Sequence, residues 1–209
     1  MKRLLLSLAL VLLLIPPAPA QSVHFGAHGN FTLSSIPPPD IAGGSSIKDA
    51  YGLGLGAGAH LDISLIAFSF RLSADYIHYS VDVDKFREAY RPLFGNAVSQ
   101  MSIDGGGLGI YSLSLNSKMS ILPIPILTPY LTAGIGLAWL NRDEAKTSIA
   151  GIGGATIPSS STHGETLICG GVGADLSLGI KLYAEVKYCL IFTEGTNSTY
   201  IPITIGITF

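Results

Sequence analysis

Apolar side chains alternate with small or polar ones in eight separated stretches of the chain. In "YIPITIGITF" the apolar parity holds Ile201, Ile203, Ile205, Ile207 and Phe209, with Pro202, Thr204, Gly206 and Thr208 between them. The same period of two runs through "VHFGAHGNF" from Val23, "YGLGLGAGAHL" from Tyr51 and "IAFSFRLSADY" from Ile66. It returns in "YSLSLNSK" from Tyr111, "YLTAGIGLAWL" from Tyr130, "ICGGVGADL" from Ile168 and "LYAEVKYCLIF" from Leu182. Alternation of this kind predicts strands with one apolar face. On the apolar parity lie residues such as Tyr51, Leu53, Phe68, Phe70, Leu113, Ile135, Val172 and Val186, and no charged residue falls on any of the eight faces. In the fourth stretch "GGGLGI" precedes the alternation out of phase, which predicts a glycine-permitted bulge near Gly109.

The beginning of the chain, "MKRLLLSLALVLLLIPPAPA", has a basic start at Lys2 and Arg3, an apolar run from Leu4 to Ile15 and a small-residue "APA" before Gln21. This predicts a cleavable signal peptide over residues 1–20, followed by a single domain over residues 21–209. A membrane anchor would need about 20 uninterrupted apolar residues. Of the 209 residues, 12 are basic and 14 acidic; removing the first 20, with Lys2 and Arg3 among them, leaves a formal charge of −4. That balance excludes a basic nucleic-acid surface. Only 12% of the chain is charged and 25 residues are Gly, a composition poor in charge for a soluble domain. An exported chain with no further run long enough for a membrane helix has one other way to cross lipid, a closed β-barrel. The predicted fold is therefore all-β: an eight-stranded antiparallel up-and-down transmembrane barrel.

The connections agree with this reading. Short links at Asp62 to Leu65 and Leu178 to Lys181 alternate with long ones at Ser34 to Asp49, Val81 to Asp104 and Asn141 to Gly164. Short turns on one rim and long loops on the other are the polarity of an outer-membrane barrel. "SILPIPILTP", from Ser120 to Pro129, is an exception: long, apolar and carrying prolines that do not fit inside a sheet, it is expected at the inner-leaflet interface. In "VDKFREAYRPLFGNAV", Phe86, Tyr90 and Leu93 have helical spacing, predicting one or two turns of helix limited by Pro92. The small residues of "AGIGGATIPSSST" predict a mobile loop.

Six charges take the inward parity: Arg71, Lys118 and Lys187 against Asp75, Asp175 and Glu185. An eight-stranded barrel is just wide enough for side chains to fill it, and buried charges persist when paired. The six are expected to form a neutral structural plug, with a gated path for ions or small solutes as the alternative. His24 and His28 lie four residues apart on one face, about 13 Å at 3.3 Å per residue, too far to share a metal. No nucleophile and base can be placed together, so no catalytic residue, cofactor or metal is expected. Cys169 and Cys189 share the inward parity, and a turn centred on Gly179 sets them opposite each other. Directly opposed α-carbons lie about 4.5 or 5.5 Å apart, within reach of a disulfide. A register differing by two residues would leave two buried thiols instead.

The signal peptide, the "PYLTAGIG" segment, the "GVGADLSL" to "LYAEVKY" hairpin and the terminal Phe with alternate apolar residues before it resemble the small eight-stranded outer-membrane barrels of the OmpA/OmpX type. These are often described as porin-family or outer-membrane β-barrel domain proteins, and the resemblance covers nearly all of residues 21–209. It implies a bacterial outer-membrane location, contact with outer-membrane lipid, and recognition of Phe209, Ile207 and Ile205 by the barrel-assembly machinery. Unlike full-length OmpA relatives, this sequence has no peptidoglycan-binding domain after the barrel, so wall anchoring is not implied. The expected role is non-enzymatic, in envelope integrity or in contact with an extracellular partner through the long loops. A small passive channel is the alternative, ahead of a lipid-modifying enzyme. A soluble lipocalin-like barrel would need the reverse arrangement, with an apolar interior and a polar outside.

Overall fold

A computed structural model describes residues 22–35, 51–65, 68–122, 126–149, 153–193 and 197–209. The predicted signal peptide and most of the first predicted loop lie outside these residues. In chain order the strands are β1 (Ser22–Ser35), β2 (Tyr51–Ser64), β3 (Phe68–Val81), β4 (Met101–Gly105), β5 (Leu108–Ser120) and β6 (Leu127–Arg142). They continue as β7 (Ala145–Ile149), β8 (Gly153–Ile157), β9 (Ser160–Ser161), β10 (Glu165–Ser177), β11 (Lys181–Phe192) and β12 (Asn197–Thr208). Among the described residues one α-helix, α1 (Val83–Phe94), follows β3.

Eight of these strands close on themselves in the order β1-β2-β3-β5-β6-β10-β11-β12, and β12 pairs back to β1. All neighbours are antiparallel. The register sets the shape. From His24 the pairs lead through Asp62, Arg71, Asn116, Gly134, Cys169, Cys189 and Tyr200 to Ser34, so one circuit returns ten residues further along β1. That stagger tilts the strands about 35–45° from the axis. Closure leaves no unpaired backbone edge in lipid, where none could be hydrated.

The outward parity is the apolar one. Leu55, Leu72, Leu113, Ile135, Val172, Val186 and Ile205 are all exposed in a continuous belt. Aromatic rings border it on both sides. Tyr76 and Tyr111 lie 4.6 Å apart between centroids toward the long loops, with Trp139 paired to Tyr111 on the next strand. Toward the short turns Phe25 and Phe209 lie 5.7 Å apart. Two girdles around an apolar band mark the membrane boundaries of such barrels.

The turn rim is tighter than the sequence suggests. β5 runs to Ser120 and β6 begins at Leu127, so the apolar connection shrinks to residues 121–126. Pro129 sits within β6, opposite Ala174. Ile121, Leu122 and Ile126 are exposed beside the belt. The turn at residues 178–180 is closed by Leu178 N–H donating to Ile180 at 3.0 Å, with Gly179 at φ 87°.

Four further expectations are corrected. No bulge occurs at Gly109: β5 pairs with β3 in unbroken register from Met119 to Leu108, and Leu108 and Ile110 point inward. They look out of phase because the loop half of the lumen is itself apolar. The bulge lies instead between Tyr51 and Gly54, where an extra residue turns Tyr51 inward rather than to lipid. The helix α1 has 12 residues rather than one or two turns, because Asp82 caps it by accepting from Asp84 N–H and Lys85 N–H. Pro92 falls in its last turn, and the helix stops at Gly95 with φ 58°. Phe86 is buried beneath it; the side chains of Tyr90 and Leu93 lie outside the description. Finally, the segment expected to be mobile, residues 150–162, carries β8 and β9; β8 pairs with β7 just before it, and β7 pairs with β4 to make a three-stranded sheet beyond the barrel. Arg87 ties α1 to this sheet by donating to the Met101 carbonyl at 3.0 and 2.8 Å.

Ile135 lies mid-strand on the lipid face and is 60% exposed. Ile135→Arg is expected to lower the unfolding free energy in refolded vesicles by about 2–4 kcal/mol, the midplane cost of a lipid-facing charge. Denaturant titration measures it.

Candidate functional site

The inward parity brings polar side chains from all around the barrel into its turn half. Arg71 is bound by Asp62 through two hydrogen bonds, both 2.7 Å, from Nε and Nη2 to the two carboxylate oxygens. Its guanidinium also lies 4.0 Å above the centre of the Tyr183 ring. Lys118 donates to both oxygens of Asp175, at 3.1 and 3.2 Å, and its Nζ lies 3.9 Å from the centre of the Tyr130 ring. Lys187 meets Glu185 at 3.0 Å. Lys181 reaches Asp175 from the rim at 4.0 Å.

Asp75 differs from the other carboxylates. Its Oδ1 accepts from His28 Nε2 at 2.6 Å and from Asn30 at 2.9 Å, and Asn30 in turn accepts from Thr204 at 2.7 Å. On the other side of the His28 ring, Nδ1 faces His60 Nδ1 at 3.3 Å. The Tyr183 hydroxyl is also 3.3 Å from His60 Nδ1, and His60 Nε2 is 3.0 Å from the Thr208 hydroxyl.

All six sequence-identified charges therefore face one lumen, and a seventh, Asp62, joins them there. Arg71 is partnered by Asp62, which sequence reasoning assigned to a turn. β2 continues to Ser64, and Asp62 keeps the inward parity of His60, directly opposite Arg71. Alternation carried two residues further would have found it. His60 and Tyr183 fall on the inward parity of "YGLGLGAGAHL" and "LYAEVKYCLIF", but parity reports a face and not which strands' side chains meet across the lumen. His24 does not join the network: its Nδ1 lies 3.0 Å from the Phe209 carbonyl oxygen at the rim.

Toward the long loops the lumen becomes apolar. Ile77, Tyr79, Leu108, Ile110, Leu140, Leu167, Ile191 and Tyr200 pack together, and Tyr79 and Ile191 have no exposed surface. Cys169 and Cys189 lie within this layer, directly paired with α-carbons 4.2 Å apart, and are joined as a disulfide. Between the polar and apolar layers a cavity of about 10 Å³ touches Asp75, Ile77, Ser112, Lys187 and Tyr200. That is room for about one water molecule.

Breaking the bidentate pair strands a buried charge. Arg71→Ala and Asp62→Ala are each expected to cost about 3–5 kcal/mol of stability. The double variant is expected to cost clearly less than their sum, because each single loss leaves the other charge unpaired. A double-mutant cycle on refolded barrels measures the difference.

No protein-family model matches the chain, and no curated protein matches it in sequence. Among solved structures it resembles Neisserial surface protein A (NspA), with 13% identity and a TM-score of 0.56, over 90% of this chain and 97% of that one. The attachment invasion locus protein Ail of Yersinia pestis matches at 15% identity and a TM-score of 0.43, over 90% and 97%. The N-terminal β-barrel domain of Pseudomonas aeruginosa OprF matches at 12% identity and a TM-score of 0.43, over 89% and 97%. With its closed eight-strand register, lipid-facing belt and aromatic girdles, the chain has the fold of the small outer-membrane β-barrels of the OmpA/OmpX type.

Proposed function

We propose that the protein is a closed, non-conducting and non-enzymatic barrel of the bacterial outer membrane that holds a folded cap at the cell surface, for envelope integrity or contact with an extracellular partner. The observation that carries this reading is the filled lumen: paired charges in one half and a packed apolar layer in the other. A path for solutes would have to open through both layers. What remains for interaction is the loop side, where α1 and the sheet β4-β7-β8 stand beyond the membrane belt. On this reading Arg71, Asp75, Lys118, Asp175, Glu185 and Lys187, with Asp62, act as structural residues.

Planar-bilayer recording of the refolded protein tests it. The expected result is no conductance above that of the protein-free bilayer; stable channel openings would favour the passive-channel reading. Lipid A mass spectra from cells with and without the protein are expected to be identical, and a protein-dependent change in acyl chains would favour an enzyme.

We further propose that β12 is the segment addressed to the assembly machinery. Ile205 and Phe209 are exposed, and Phe209 N–H donates to the Phe25 carbonyl at 2.8 Å where β12 meets β1. Phe209→Ala is expected to lower the amount of heat-modifiable, folded barrel in outer membranes severalfold while leaving export across the inner membrane unchanged. Equal folded yield for the two chains would remove this role.

A further inference from the structure

The buried residues His28 and His60 face each other across the lumen through their Nδ1 atoms, with the Tyr183 hydroxyl beside them. A carboxylate oxygen of Asp75 lies 2.6 Å from His28 Nε2, so the proton of a neutral His28 ring sits on Nε2 and the lone pair on Nδ1. With the His60 proton on Nε2, facing the Thr208 hydroxyl at 3.0 Å, its lone pair is also on Nδ1. The two Nδ1 atoms face each other at 3.3 Å. In that tautomer two lone pairs converge on one point, and a cation held between them satisfies both; with the His60 proton on Nδ1 instead, the rings share a neutral hydrogen bond.

The inward groups of the network, among the described residues, are the cations Arg71, Lys118 and Lys187, with Lys181 at the rim, and the carboxylates Asp62, Asp75, Asp175 and Glu185. Asp75 is the carboxylate without a Lys or Arg in its ion pair, its partner being His28.

The geometry points to a site for a single transition-metal dication of the zinc class, held by His28 Nδ1, His60 Nδ1 and the Tyr183 oxygen. Imidazole nitrogens 2.0–2.1 Å from a tetrahedral ion lie about 3.3 Å from each other, and the separation here is 3.3 Å. The Tyr183 oxygen stands at the same 3.3 Å from His60 Nδ1. Two imidazoles select zinc or copper over calcium or magnesium. Each imidazole carries an outer partner on its other nitrogen, Asp75 for His28 and Thr208 for His60, which is how metal-bound histidines are oriented. Small residues keep the place clear: a Cβ on Gly26 would strike the His60 ring, and a Cβ on Gly58 would strike His28 Nε2.

The change in charge on binding is small. A dication that binds while the Tyr183 hydroxyl loses its proton to solvent adds one net positive charge, beside the Asp75 carboxylate that no Lys or Arg pairs. The Arg71 guanidinium, 4.0 Å above the Tyr183 ring centre, is placed to stabilise the resulting phenolate.

The test uses the refolded full barrel, freed of metal by chelation, with ZnCl2 as the probe. Calorimetric titration in two buffers of different ionisation enthalpy is expected to show one ion bound and one proton released per chain. The chain has five histidines, so replacing His24, His78 and His163 by Gln leaves the proposed ligands as the only imidazoles. In that background Cu²⁺ is expected to give an electron paramagnetic resonance spectrum split by two nitrogens and an absorption band from phenolate to copper, the band lost in Tyr183→Phe. Asp75→Asn is expected to weaken zinc binding about 10–100-fold, as loss of an outer partner does. Absence of saturable binding, a copper spectrum without two imidazole nitrogens, or zinc affinity that falls on His163→Gln and survives His60→Gln would overturn the site. In the first case the two rings share a hydrogen bond between their Nδ1 atoms and hold no metal.

Discussion

A strand edge in hydrocarbon has no water to satisfy it, and every other property of this molecule follows from the need to close the last edge onto the first. Eight strands with a stagger of ten residues allow essentially one radius. The interior volume is thereby set before any interior side chain is chosen. Large rings fill it where a neighbour gives way: Tyr79 lies against Gly54, Tyr130 against Gly173 and Tyr183 against Gly206, and a Cβ on any of these glycines would run into the ring. The glycines on the inward parity are, in this sense, the space that the tyrosines occupy. Lipid selects the outer face residue by residue, whereas the inner face is selected as a whole, by volume and charge.

That contrast decides what could be read from the chain. The belt residues, strand count and rim polarity were legible because each depends on local alternation: Leu113 faces lipid for reasons found within "YSLSLNSK". Ile110 misled for the same reason. Its environment is made by Tyr79, Leu140 and Leu167 on other strands, and no local rule distinguishes an inward apolar residue from a register shift. The partner of Arg71 was hidden by a strand drawn to end at Leu61, one residue short of Asp62, and the meeting of His28, His60 and Tyr183 brings β11 to strands far from it in sequence. On the loop side, the cap at Asp82 was readable from residue type, but the pairing of β4 with β7 joins two separate loops. Composition suggested mobility for a segment whose strand β8 folds back on β7, itself held by β4.

Within the lumen, two halves solve the same filling problem in opposite ways. The apolar half needs no partner for each group and owes its cohesion to contact among Ile77, Ile110, Leu167 and Ile191. The polar half depends on completeness, since each ion pair there is stabilising only while both members are present. Placing the disulfide in the apolar layer ties β10 to β11 on the side away from the ions. The helix and small sheet above then stand on the better-packed end of the barrel.

The sealing contact joins residues at opposite ends of the polypeptide. His24 and Phe209, in contact at the rim, are 185 positions apart, and β1 pairs with β12 along ten residues. Contacts of such separation form slowly, because a very long loop must close before any of their energy is returned. Until β12 arrives, β1 keeps one edge open and the growing sheet presents a template for any other strand in solution. The nascent chain thus spends its most vulnerable interval as an almost finished, open sheet. For this architecture the time between export and closure, more than the depth of the final energy minimum, sets the demand for a chaperoned route to the membrane.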